Sequence, residues 1–249
     1  YIRDNNLKAI VLGISGGVDS FTAGKLSQIA MQELRNEGYN AKFISVRLPS
    51  GVQKDEEEAQ EAVKLIKPHI SHTVNVGDAS HIISQNVVDS FEVQSSNIDD
   101  MLFVDDFEDK IDFHRGNVKA RMRMISQYQL AGIYEGVVLG TDHNAEGILS
   151  FYTKYGDGGC DLIVLNGLNK RQVRACAKEL GAPEWLYDKV ATADLEEEKE
   201  QLPDEDSTGI PYDVLDDFLE GKEISSDMEK KILDYHISTA HKRALPVSF

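Results

Sequence analysis

Gly13-Ile14-Ser15-Gly16-Gly17-Val18-Asp19-Ser20 follows an apolar run, Ala9 to Ile14, and precedes a segment in which Leu26, Ile29, Ala30 and Leu34 recur at helical spacing. A buried strand, a glycine turn and an amphipathic helix, in that order, form the ligand-binding corner of open α/β sheets. Two adjacent glycines let the backbone turn with φ > 0 and approach a ligand closely. The helix that follows offers unpaired N–H groups and the positive end of its dipole. The turn therefore reads as a phosphate cradle. It lacks the Gly-Lys-Ser/Thr ending of the Walker loop and the third glycine of the dinucleotide fingerprint. Ser15 and Ser20 can donate to phosphate oxygens. Asp19 would repel those oxygens unless a cation stood between them, which implies Mg2+, a hard ion suited to one or two carboxylates plus phosphate.

Outward from the turn, short β-rich runs alternate with helical ones. Ala41 to Arg47 reads as the second strand and Asp55 to Lys67 as the second helix, ended by Pro68; Thr73 to Val76 reads as a third strand. Asn117 to Glu135 reads as a long helix leading into a strand, Gly136 to Gly140. This alternation predicts the α/β class: a Rossmann-like open parallel sheet flanked by helices, its strand carboxyl ends on one edge.

The second half is more helical. Asn169 with Gln172 forms a capping-box pattern, the run continues to Leu180, and Gly181 supplies a left-handed stop. Tyr212 to Leu219 and Ser226 to Ala244, the latter opened by Ser226 with Glu229, read as two more helices. These are expected to pack on the same domain, so residues 1–249 read as a single one. The acidic stretch Asp194 to Asp206 reads as part of a mobile loop of about 194–209, because like charge at that density resists packing into a core.

The 249 residues carry a formal charge of -17, which repels polyanions and argues against a nucleic-acid partner. Apolar runs fall well short of the roughly 20 residues of a spanning helix, so no membrane role is expected. Cys160 and Cys176 match neither a zinc nor a disulfide framework and read as free thiols of a cytoplasmic protein. The opening Tyr1-Ile2-Arg3 has neither a start methionine nor a signal segment, so native residues are expected ahead of it.

The Ser-Gly-Gly-Val-Asp-Ser loop resembles that of the ATP pyrophosphatase superfamily, without choosing among its members. Further blocks make the choice: Val46-Arg47-Leu48-Pro49, Gly116 to Arg121, Gly140-Thr141-Asp142-His143-Asn144-Ala145-Glu146, and Thr153-Lys154-Tyr155-Gly156-Asp157-Gly158-Gly159. Asn169-Lys170-Arg171-Gln172, Thr192-Ala193-Asp194-Leu195, Asp216 to Lys222 and His241-Lys242-Arg243 follow in order. Together they resemble the ammonia-dependent NAD synthetases from about Val11 to Arg243. A GMP synthetase or a tRNA-thiolating enzyme would share only the loop.

The resemblance implies ATP-dependent amidation of deamido-NAD by ammonia, giving NAD, AMP and pyrophosphate through an adenylated nicotinate, the last step of NAD biosynthesis. It implies that Gly13, Ile14, Ser15, Gly16, Gly17, Val18, Asp19 and Ser20, with Thr141, Lys170 and Thr192, contact ATP, and that Asp19 and Glu146 hold Mg2+. Arg121, Lys154, Asp161, His241 and Lys242 then contact deamido-NAD. Lys154 and Lys170 serve the chemistry as cations, and Asp157 is a candidate to bind ammonium and take its proton. A homodimer is implied, with deamido-NAD bound across the subunit interface. No added amidase domain is expected, so free ammonia is the expected donor. The chain departs from the family at Asn144 and Gly147, which flank Glu146 where alanines are usual.

Overall fold

A computed structural model describes residues 1–51, 55–94, 107–192, 202–244 and 246. Five strands form one parallel sheet: β1 (Ala9–Gly13), β2 (Lys42–Arg47), β3 (Ile70–Thr73), β4 (Gly136–Gly140) and β5 (Leu162–Ile163), in the order β3-β2-β1-β4-β5. Between them run α1 (Val18–Asn36), α2 (Glu56–Ile66), α3 (Gly77–Gln94) and α4 (Phe107–Ile133). Side chains alternate faces along each strand. Ile10, Leu12, Phe43 and Leu139 join the cluster under α1, with Phe21 and Ile66, whereas Val11, Ile44, Val46 and Val138 join a second cluster with Ala131 of α4. Burial on both faces explains why these strands are nearly continuous apolar runs.

The chain builds β1, β2 and β3 outward on one side and then crosses back to lay β4 on the other side of β1. A crevice opens at such a reversal, beyond the carboxyl ends of the strands. Here β1 and β4 pair only as far as Val11 and Val138. Beyond that point Gly13 N–H donates to Gln127 Oε1 of α4 at 2.7 Å, so a side chain holds the split open at the mouth of the phosphate turn.

The helical second half comprises α5 (Asn144–Leu149), α6 (Lys170–Glu179), α7 (Glu184–Tyr187), α8 (Asp204–Thr208), α9 (Tyr212–Leu219), α10 (Ser226–Ser238) and α11 (Ala240–Arg243). Ala145 and Leu149 of α5 pack with Ile210, Tyr212, Leu215 and Ile232 in a third apolar cluster. The capping box at Asn169 and Gln172 forms with both of its hydrogen bonds, and Gly181 has φ 87°.

Several elements differ from the sequence reading. The third strand lies at Ile70–Thr73 rather than Thr73 to Val76, because Ile44 pairs with Ile70. Val74 and Val76 run on beside it, their N–H groups donating to Arg47 and Pro49 carbonyls. The long helix begins at Phe107, ten residues before Asn117, and passes through the buried Gly116. Ser225, not Ser226, caps α10, and that helix breaks at Thr239. Of the acidic stretch, residues 193–201 lie outside the described residues. Asp204 is a correction to the solvated-loop reading: it sits in α8, is 7% exposed, and accepts a hydrogen bond from Tyr212 Oη at 2.9 Å. One bonded partner makes that burial tolerable.

Candidate active site

The phosphate turn needs one of its two glycines for φ > 0. Gly16 has φ 86°, and a Cβ there would lie 2.8 Å from the Ala59 backbone nitrogen; Gly17, at φ -87°, is the extended N-cap residue of α1. Ser20 Oγ donates to the Gly17 carbonyl at 3.1 Å and lies 3.1 Å from Ser15 Oγ, and Ser15 Oγ accepts from Gly17 N–H at 3.3 Å. The two hydroxyls brace the turn. Val18 turns into the core, and Asp19 stands in the first turn of α1.

Three helix N-termini converge beside that turn: α1 brings Asp19, α5 brings Glu146, and α6 begins with Lys170. The Lys170 side chain is 1% exposed, its Nζ lying 2.8 Å from Asp19 Oδ2 and 4.0 Å from Glu146 Oε1. Burial disfavours the ammonium charge, and Asp19 and Glu146 more than offset that, raising its pKa above the ordinary lysine value. Asp19 is likewise pushed up by burial, but Lys170 and His143 outweigh it and hold the carboxylate below its usual range. Glu146 is raised well above its usual value: burial and the like charges of Asp19 and Asp142 exceed the pull of Lys170.

His143 lies at the centre of this cluster, 1% exposed, its Nε2 3.2 Å from Lys170 Nζ. Burial lowers its pKa to about 4, so it is a neutral imidazole. It caps α5, Nδ1 accepting the Glu146 N–H at 3.4 Å. Nε2 also faces Asp19 Oδ1 at 3.5 Å and Glu146 Oε1 at 3.4 Å.

Of this cluster Glu146 lines a cavity of about 300 Å3 at the β1/β4 crevice, and Asp19, His143 and Lys170 do not; the volume is that of a small-ligand site. Gly13, Ile14, Ser15, Ser20, Thr141, Glu146, Asp157 and Thr192 all line it, joined by Asp142, Asp204, Arg47, Arg123 and Gln127. Asp157 is open to this cavity although protein surrounds it; burial raises its pKa, and Oδ1 accepts Thr153 N–H at 2.8 Å. Asp142 is raised to about 7 by burial and by the charges of Asp157 and Asp19. Thr192 is bridged to Pro203, so both ends of the acidic segment stand at the cavity rim.

The model of the NAD synthase family matches residues 1–246. The chain belongs to the NAD synthase family. The NH3-dependent NAD+ synthetase of Paraburkholderia phytofirmans is 50% identical over 246 residues, covering 99% of this chain and 82% of that one. Its counterpart in Bacillus licheniformis is 48% identical over 248 residues, covering 100% and 86%. The crystal structure of NAD+ synthetase from Burkholderia pseudomallei matches with a TM-score of 0.79 and 43% identity, over 99% of this chain and 86% of that one. NMN synthetase from Francisella tularensis matches with a TM-score of 0.77 at 28% identity, over 99% and 91%.

The residues that the NAD synthase resemblance assigns to deamido-NAD form a second group, centred where the C-terminal segment meets residues 150–154. Arg121 Nε and Nη2 donate to the Lys154 carbonyl at 3.4 and 3.3 Å, and Lys154 Nζ donates to the carbonyls of His241 and Ala244. Lys242 Nζ donates to the Ser150 and Tyr152 carbonyls at 3.1 and 2.9 Å. Asp161 stands apart: Oδ2 accepts Val138 N–H at 2.8 Å and Oδ1 accepts from Tyr128 Oη at 3.1 Å. Asp142, Asp204 and Tyr212 are site residues that sequence reasoning leaves unassigned. Asp142 belongs to the Gly140 to Glu146 block, Asp204 to the acidic stretch read as a loop, and Tyr212 carries no signal beyond helical spacing.

Proposed function

We propose that the chain amidates deamido-NAD with ammonia at the expense of ATP, and that the crevice cavity is where the nicotinate carboxylate is activated. The observation that carries this reading is the buried Lys170 ammonium, held between Asp19 and Glu146 beside the glycine turn. A fixed cation next to unpaired helix N–H groups supplies positive charge where a departing pyrophosphate accumulates negative charge, with no reorganisation at the moment of reaction. Two anions must meet in that first step, so positioning and charge stabilisation are the main requirements, and no nucleophilic side chain is needed.

In the proposed sequence a carboxylate oxygen of deamido-NAD attacks the α-phosphorus of ATP and the bond to the bridging oxygen breaks, releasing pyrophosphate. Ammonia then attacks the carbonyl carbon of the mixed anhydride, AMP leaves with the bridging oxygen, and the nitrogen loses a proton. Asp157, exposed to the cavity and raised by burial, is suited to hold ammonium and accept that proton. Thr141 and Thr192 stand at the rim as polar contacts for the nucleotide.

Mg2+ fits the residues present: Asp19 Oδ1 is buried without a hydrogen-bond partner, and Glu146 adds a second hard oxygen within ligand reach. A His143 ring nitrogen lies within the same reach. Asp19 and Glu146 would hold the ion, which would offset the charge of the triphosphate. Arg121, Lys154, His241 and Lys242 are read as the deamido-NAD side, the Arg121, Lys154 and Lys242 side chains donating to carbonyls of the same region; Asp161 would act from the residue before β5. A homodimer is supported by exposed apolar side chains on the packed pair α3 and α4, among them Ile82, Val87, Phe91, Ile125 and Ile133. Among the described residues no helix is long and apolar enough to cross a membrane, and the two free cysteines suit a reducing cytoplasm.

The test is to incubate the protein with ATP, Mg2+, deamido-NAD and either ammonium or glutamine, and to quantify products. NAD, AMP and pyrophosphate in equal amounts, with ammonium far outpacing glutamine, are expected. In the same assay Asp157→Asn should lose most rate at low ammonium. ADP as product would overturn the reaction, and nicotinate mononucleotide outpacing deamido-NAD would overturn the substrate.

A further inference from the structure

Lys170 is held from both ends by one face of α9. Tyr212, Asp216 and Glu220 follow one another at i, i+4 spacing along that face and its cap. Glu220 accepts from Asn169 Nδ2 at 2.7 Å, and Asp216 accepts the backbone N–H groups of Lys170 and Arg171 at 3.0 and 2.7 Å. Tyr212 serves the side chain: the ammonium lies 4.8 Å from its ring centroid. The ring is fixed at both ends, since Oη donates to Asp204 Oδ2 at 2.9 Å and its backbone N–H donates to Glu205 Oε1 at 2.9 Å. Its ring also meets that of His143 at a tilted 62° with centroids 5.9 Å apart.

These contacts differ in how they behave when a ligand arrives. Asp19 and Glu146 are carboxylates that an incoming cation would draw on, which weakens their hold on a flexible four-carbon side chain. The face of an aromatic ring attracts an ammonium without offering a ligand atom to a hard ion, so its hold persists. We infer that Tyr212 is the positioning residue of Lys170: its ring, anchored by Asp204, keeps the ammonium in place beside Asp19 and Glu146 when a metal ion draws on those carboxylates. This rests on the reading of Lys170 as a contact to the ATP phosphates.

A double-mutant cycle on ATP affinity tests it. The Kd for ATP with Mg2+, without deamido-NAD, is measured by calorimetry for the wild type, Tyr212→Leu, Lys170→Ala and the double variant, with thermal melts to verify folding. Tyr212→Leu is expected to weaken binding about threefold to tenfold. In the Lys170→Ala background the same change should have no further effect, because its target is gone. Tyr212→Met, which fills the space without a π face, replaces the leucine variant if that one does not fold. An equal loss in both backgrounds, or no loss from Tyr212→Leu while Lys170→Ala weakens binding, overturns the positioning role alone. An unchanged Kd for Lys170→Ala overturns the phosphate reading beneath it.

Discussion

Gly16 and Gly17 look alike in sequence and differ in demand. Gly16 occupies the left-handed region and leaves no room for a side chain against the start of α2, whereas Gly17 is extended and has only an ordinary contact to Ser15 Oγ at 3.4 Å. Gly16→Ala is expected to destabilise the ligand-free protein by about 1–3 kcal/mol in urea unfolding, the cost of a strained backbone plus a clash. Gly17→Ala should cost less than about 1 kcal/mol, a weaker N-cap only. Equal losses would contradict the distinction. His143 makes a second residue-scale case. Its folded pKa of about 4 lies below the ordinary histidine value, so the unfolded chain takes up the proton first and stability falls as pH drops from about 6.5 to about 4. Asp142, raised to about 7, acts in the opposite sense: the folded chain holds its proton first, so its contribution falls as pH rises from 3.8 to about 7. Comparing the wild type with His143→Gln isolates the histidine. Urea midpoints should show the wild type losing roughly 2–3 kcal/mol more than the variant between pH 7 and pH 4.5, measured without nucleotide. Parallel curves would refute the buried neutral imidazole.

At the scale of elements, the site is a meeting of helix N-termini, and each is fixed by local chemistry readable to a different degree. The α6 start was legible, because Asn169 and Gln172 stand at capping-box spacing and the box forms. Its second support was not: Asp216 lies 46 residues away from the Lys170 N–H that it accepts, and nothing local in the sequence announces the pairing. Asp216→Ala should destabilise the fold by about 1–3 kcal/mol, since two helix N–H groups lose a charged acceptor. Asn169→Ala should cost about 1 kcal/mol. Thermal or urea unfolding checks both, and an Asp216→Ala protein as stable as the wild type would show the clamp to be incidental. The β3 misplacement has a comparable cause. Val74 and Val76 alternate as a strand would, yet the ladder is set by pairing to β2, which reaches back to Ile70. A two-residue strand such as β5 leaves no periodicity to read, and α3 carries no strong amphipathic signature.

For the molecule as a whole, the order strand, glycine turn, helix, strand was enough to place the ligand edge at the strand carboxyl ends, whereas the reversal between β1 and β4 appears only in the strand order. Of the residues that the resemblance gives to ATP, Gly13, Ile14, Ser15, Ser20, Thr141 and Thr192 line that crevice, whereas Gly16, Gly17, Val18, Asp19 and Lys170 do not. The residues proposed for deamido-NAD could be singled out only through resemblance, since Arg121, Lys154 and Lys242 are ordinary cations until the C-terminal segment folds back on residues 150–154. Asp204 was misread because charge density describes a segment, while burial is decided residue by residue by a partner such as Tyr212. What unites these parts is the claim that the carboxylate of the substrate is activated by transfer of AMP within this crevice. Deamido-NAD labelled with 18O in both carboxylate oxygens tests that claim most directly, with AMP and pyrophosphate analysed by mass spectrometry after one turnover with ATP, Mg2+ and ammonium. The account predicts one labelled oxygen in AMP and none in pyrophosphate; label in pyrophosphate, or unlabelled AMP beside formed NAD, would contradict it.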